Sequence, residues 1–150
     1  MKLASLCLIA MLAPPTLPAL AQAQPDLAFY GAHACAADAA GAKADPAGGE
    51  AVCLDAKPIF GGKAITAVSR DVDAASDQET LIVTLGESAS TLLYAYTYSN
   101  PGQRMAVTLD GKLVSAPMIT DPVRSGQLTV YGLSHAQIVA LLARYGAKTP

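Results

Sequence analysis

An Asp-Gly pair set between two apolar runs limits this chain's folding more than any other feature. Asp110-Gly111 separates residues 105–109 from residues 112–115, both largely apolar. A two-residue connection of this kind closes as a type I′ turn. Both central positions then need positive φ, which glycine adopts freely and aspartate tolerates. The pair predicts an antiparallel hairpin, with Ala116-Pro117 ending its second strand and Pro122 marking a further bend.

Around this hairpin the chain reads as mixed strands and helices. Residues 80–85 are rich in β-branched side chains, Val68 to Val72 form a second run, and the polar stretch 73–79 between them predicts another hairpin end. Residues 27–30, 51–54 and 127–131 read as short strands. Residues 36–50 are rich in Ala, Gly and Asp, with turn signals at Asp45-Pro46 and Gly48-Gly49, and predict an exposed loop. Lys57-Pro58 and Gly61-Gly62 bracket a further turn.

Residues 88–99 fit two periods: Tyr94, Tyr96 and Tyr98 alternate as on a strand, whereas Ala89, Leu92, Leu93 and Tyr96 follow the spacing of a helix face. Asn100-Pro101-Gly102 stops either one. The last helix is signalled at both ends, by a Ser134/Gln137 capping box and by Gly146 after the apolar positions Ile138, Leu141, Leu142 and Tyr145. Strands, hairpins and helices in this order predict an α+β domain.

The amino terminus carries the physics of an export signal. Lys2 precedes an apolar run over residues 3–13, interrupted by Ser5 alone; Pro14, Pro15 and Pro18 then break it. Ala21-Gln22-Ala23 has the small-x-small form of a cleavage site, which predicts a signal peptide of residues 1–23 removed before Gln24. Ala19-Leu20-Ala21 is the alternative site, two residues earlier. The run is too short for a membrane anchor, and Cys7 lies too early in it for lipidation. Removing 23 of 150 residues leaves 127, one domain's worth, with nine basic against twelve acidic residues and a net charge of −3. No basic stripe speaks for nucleic acid, and no later segment for stable membrane insertion. A periplasmic or secreted location follows. There the remaining cysteines, Cys35 and Cys53, are expected to pair, closing a loop for roughly 3 kcal/mol of stability.

No catalytic, cofactor or metal constellation stands out, so no enzyme is expected. His33 and His135 have no spacing suited to a metal or a triad, and His135 falls in the first turn of the last helix, facing solvent. Asp71, Asp73 and Asp77 imitate a calcium loop, but Ala75 stands at its third ligand position and Ser76 at its glycine position. A polar hairpin end is the better account. The tyrosines at 94, 96 and 98 could stack on a peptide or sugar; the plainer expectation is one or two in the core and the rest on an amphipathic surface.

The run from Val107 to Ile119, with Leu109-Asp110-Gly111-Lys112 and Ser115-Ala116-Pro117, followed by Pro122-Val123 and Gly126-Gln127, resembles the head of the first periplasmic domain of SecD, an accessory subunit of the Sec protein translocase. Asn100, Gly102 and Arg104 before it, and Leu54, Pro58, Gly62 and Ile65 upstream, are similar as well, so the likeness spans about residues 51–146. The resemblance implies a helix at 88–99 and an antiparallel sheet with two helices on one face, in ferredoxin-like style. It divides the chain into the signal, an amino-terminal strand and disulfide loop at 24–50, and a head-like domain at 51–150. It also implies no catalytic residues and a polypeptide or envelope-protein partner. Within that reading, Asp110, Gly111, Lys112, Ser115, Ala116 and Pro117 are family-motif residues. The sequence departs from SecD in lacking the transmembrane bundle that couples proton flow to movement, in His135-Ala136-Gln137 where acidic residues are common, and in its cysteine pair. Two roles follow: a polypeptide-binding module linked to secretion, or a head-like domain recruited to inhibit or scaffold an unrelated envelope protein.

Overall fold

The computed structural model describes residues 25–146; the expected signal peptide and its cleavage site lie outside the described residues. The strands are β1 (Leu27–Ala34), β2 (Val52–Leu54), β3 (Phe60–Gly61), β4 (Ile65–Asp73), β5 (Gln78–Leu85), β6 (Arg104–Leu109), β7 (Lys112–Ser115) and β8 (Gln127–Val130). The helices are α1 (Glu87–Ser99) and α2 (His135–Tyr145). The fold is the expected α+β class with two helices, and every strand pairing is antiparallel. The strands divide between two sheets, however: one in the order β2-β1-β6-β7, with β3 also on β1, and one in the order β4-β5-β8. The division has a local cause. Between β5 and β6 the chain passes through α1, which carries it off the second sheet and onto the first.

Asp110 and Gly111 have φ of 51° and 76°, as a type I′ turn requires. The ladder then slips between Val107↔Ser115 and Thr108↔Leu113, leaving Val114 as a one-residue bulge. Beyond the bulge, Met105 N–H donates to the Pro117 carbonyl at 2.9 Å, so the strand direction survives the proline. In the β4–β5 hairpin the Asp73 carboxylate accepts from the Ser76 hydroxyl at 2.8 Å and from Ala75 N–H at 3.1 Å. Those two bonds, the hydroxyl's first, hold its pKa below the ordinary value. The residues that imitated a calcium loop therefore build a turn.

Helix α1 settles the 88–99 ambiguity, burying Ala89, Leu93 and Thr97. Helix α2 has the expected box, with Gln137 N–H on Ser134 Oγ (3.3 Å) and Ser134 N–H on Gln137 Oε1 (2.8 Å). It buries Ile138 and Leu141 against β4 and β5. One apolar core joins both sheets and both helices, from Leu27 and Phe29 through Leu81, Val83 and Leu93 to Leu141.

Strand β1 runs four residues past the expected 27–30, because Ala32, His33 and Ala34 pair with Leu54, Cys53 and Val52. The 36–50 segment, read as an exposed loop, is pinned at three points. Cys35 and Cys53 are disulfide-bonded with Cα atoms 5.8 Å apart, Lys43 bridges to Val52, and the Asp45 side chain is buried against Arg104 at 3.0 Å.

Candidate functional site

The family-motif residues fasten strands to one another. Asp110 Oδ1 accepts Asp26 N–H at 2.8 Å, Asp110 N–H donates back to the Asp26 carbonyl, and the Gly111 carbonyl faces Lys43 Nζ at 3.5 Å. Ser115 resumes the ladder opposite Val107, and the buried Ala116 turns its carbonyl to the Arg104 guanidinium at 3.0 Å. Arg104 Nη1 thus clasps Asp45 and the motif strand together, a role that no local pattern in the sequence reveals. Lys112 stays exposed beside a cleft of about 310 Å³ that Leu109, Leu113, Val114 and Gln137 help to line.

An exposed apolar surface lies elsewhere, on α1. From Ser88 to Gln103 the sequence holds no charged residue, yet the outer side of this helix faces solvent: Leu92 is 54% exposed and Tyr98 64%. A solvated helix face normally carries charge. The three tyrosines divide their roles. Tyr96 turns inward, where burial, and then the Asp55 carboxylate, raise its pKa above the ordinary value. Tyr94 is half-buried, and Tyr98 stacks on it at 5.9 Å. Arg124 covers the outer side of Tyr94, 4.8 Å from the ring centre.

The chain places Arg124 there by two devices. Thr97, buried within α1, accepts Val123 N–H at 2.9 Å while donating its own hydroxyl proton to the Leu93 carbonyl. Gly126, at φ 65°, lies where a Cβ would run into the Ser90 side chain, so only glycine allows the approach. Between them Glu87, Ser90, Thr91, Tyr94 and Arg124 line a shallow cleft of about 330 Å³. The tyrosines and Gly126 stand out in the sequence; no local pattern marks Arg124 or Thr97.

His33 and His135 are both exposed, and His135 Nδ1 sits 2.8 Å from Glu79 Oε2. Among the described residues no group of three His, Cys, Asp or Glu side chains could hold a metal ion, and no helix is long and apolar enough to cross a membrane. A two-sheet α+β domain whose polar groups mostly fasten strands, and whose first helix exposes Leu92 and Tyr98, is what the geometry defines.

Comparison with known proteins names that class. The chain belongs to the family described as SecDF, P1 head subdomain, which it matches over residues 38–147. It is similar to the protein translocase subunit SecD of Rickettsia bellii, 33% identical over 94 residues, covering 61% of this chain and 18% of the relative. The SecD of Rickettsia felis is 31% identical over 99 residues, covering 64% and 19%. The chain therefore spans about a fifth of the length of these curated relatives. Among solved structures, a membrane component SecDF "that enhances protein export" aligns with a TM-score of 0.64 at 19% identity, covering 90% of this chain and 73% of that one. SecDF in a "Super-membrane-facing form" aligns at 0.62, also at 19% identity, covering 83% and 19%. At that identity the structures establish the shared fold.

Proposed function

We propose that this protein is an exported, non-enzymatic module that binds polypeptides in the envelope in support of protein secretion. The outer face of α1 carries the reading: Leu92 and Tyr98 lie open beside the half-buried Tyr94, and the helix itself supplies no charge there from Ser88 onward. Aromatic rings stack on peptide groups and apolar side chains with little regard for sequence, which suits many clients and one rigid host. Binding of this kind is weak, about micromolar or poorer, because the client pays for ordering. It also changes little with salt, since Glu87 and Arg124, the charges that line the cleft there, are of opposite sign. The proposal includes removal of residues 1–23 and a periplasmic site of action, which intact-mass analysis of the envelope-derived protein checks through a mature chain starting at Gln24.

The test of binding is photo-crosslinking in the living envelope from a reactive residue at position 98. Capture of many different exported chains is the expected result. Capture of one folded envelope protein, repeatedly and alone, would instead make the protein an inhibitor or scaffold of that partner.

A further inference from the structure

Four margins end the two sheets: β2, with the two-residue β3 beside it, and β7 in the first, β4 and β8 in the second. Along an antiparallel edge, alternate residues turn their N–H and C=O away from the sheet, where they can template another strand. Three of these edges are blunted. On β2, Val52 exchanges both of its groups with Lys43, at 2.8 and 2.9 Å. On β7, Lys112, the Val114 bulge and Pro117 crowd a four-residue strand, and Arg104 occupies the Ala116 carbonyl. On β4, Val68 N–H reaches the Gly146 carbonyl (3.5 Å), Val72 N–H is held by Asp71 Oδ1 (2.8 Å), and the one residue between them with outward backbone groups is the charged Arg70.

The β8 edge differs. Leu85 N–H donates to the Gly126 carbonyl at 2.9 Å, and the register continues Val83↔Leu128 and Leu81↔Val130. Leu128 and Val130 therefore bond towards β5, and Gln127 and Thr129 turn their backbone groups outward. The Ser125 side chain closes the Gln127 pair: its oxygen accepts Gln127 N–H at 3.2 Å and its hydroxyl donates to the Gln127 carbonyl at 3.4 Å. Thr129 is exposed and, among the described residues, has no such cap. No charge or proline occurs from Ser125 to Gly132, and Tyr131 stands 47% exposed two residues on.

We propose that the β8 edge at Thr129 is a strand-addition site that takes an extended, uncharged polypeptide segment as a fourth strand of the second sheet. The inference rests on the polypeptide-binding reading and specifies its chemistry. An N–H and a C=O offered side by side from one residue match a peptide backbone, and the absence of charge along the edge favours a segment equally free of it. Tyr131 supplies a ring for the side chain of the added strand. The edge is continuous with the α1 face, because Gly126 packs on Ser90 where β8 begins. Ser125 then acts as a displaceable cap that an incoming strand must compete with at Gln127.

The test titrates the purified protein with a short peptide of alternating threonine and valine, and with the same peptide N-methylated at alternate residues so that one edge cannot donate. With the first peptide, the Thr129 and Tyr131 amide resonances are expected to shift and to exchange more slowly with solvent. The methylated peptide, and the variant Thr129→Pro, should each bind about tenfold more weakly. Ser125→Ala, which frees the Gln127 pair without touching the backbone, should bind a few-fold more tightly, and it keeps the test decisive if the proline variant fails to fold. Should peptide bind wild type, Thr129→Pro and Ser125→Ala alike, with methylation immaterial, the edge is not the site, although the polypeptide-binding reading survives. If neither this peptide nor any unfolded chain binds, both fall. Self-association without peptide, abolished by Thr129→Pro, would put a second copy of the chain on the edge and overturn the peptide as its occupant.

Discussion

The two sheets are finished in different ways. The sheet built on β1 and β6 is tied at its margins by a disulfide, a buried ion pair and a bulged strand, whereas the sheet built on β5 ends in β8, where the Thr129 backbone pair has no partner among the described residues. The helix that links the two sheets turns Leu92 and Tyr98 outward. One half of the molecule thus spends its polar groups on holding itself together, and the other leaves some unspent. Such a division suits a binding module: a rigid frame limits what is lost on ordering, and a bare edge supplies contacts that only a partner completes.

The comparison breaks most readily at Arg104. Arg104→Ala leaves the Asp45 carboxylate buried without its partner, and should cost about 3–4 kcal/mol in urea unfolding. Double replacement of Cys35 and Cys53 by serine reopens a loop with sequence separation 18 and should cost about 3 kcal/mol. An unchanged midpoint in either case would mean that the first sheet does not depend on these ties.

Two glycines sharpen the contrast at smaller cost. Both Gly111 and Gly126 have positive φ, but a Cβ at Gly111 meets open space while one at Gly126 meets Ser90. Gly111→Val should cost about 1–2 kcal/mol from backbone strain alone. Gly126→Val adds a clash and should cost about 2–3 kcal/mol. Equal costs would show that the α1 contact yields freely. The smallest expected effect on stability is at Tyr98: Tyr98→Ser should leave the unfolding midpoint within about 0.5 kcal/mol while weakening binding of unfolded polypeptide several-fold. A large loss of stability there would make Tyr98 part of the frame.

How much of this was legible in the sequence follows from how local each signal is. The Asp110-Gly111 turn, the Ser134/Gln137 box and the stop at Asn100-Pro101-Gly102 are written in adjacent residues, and each appears in the structure where the pattern set it. The 88–99 segment carried two periods at once, and only the family likeness chose the helix. Strand β1 extends beyond Tyr30 because its partners stand about twenty residues away, at Val52, Cys53 and Leu54. Asp45 read as a turn residue because Arg104, 59 positions along, is what buries it. The α1 face was half visible: the missing charges and the tyrosines could be read off, but Arg124 reaches Tyr94 only through Thr97 and Gly126.

The central claim is that polypeptide binds at α1 and the second sheet and leaves the tied sheet alone. Titration of the purified protein with an unfolded secretory polypeptide, followed by backbone amide shifts, tests it directly. Shifts confined to the outer residues of α1, to Arg124 and to residues 125–132, with β1, β6 and the 36–50 loop unmoved, are the predicted result. Shifts centred on the Asp110-Gly111 hairpin and β7, or no shift at high polypeptide excess, would contradict it.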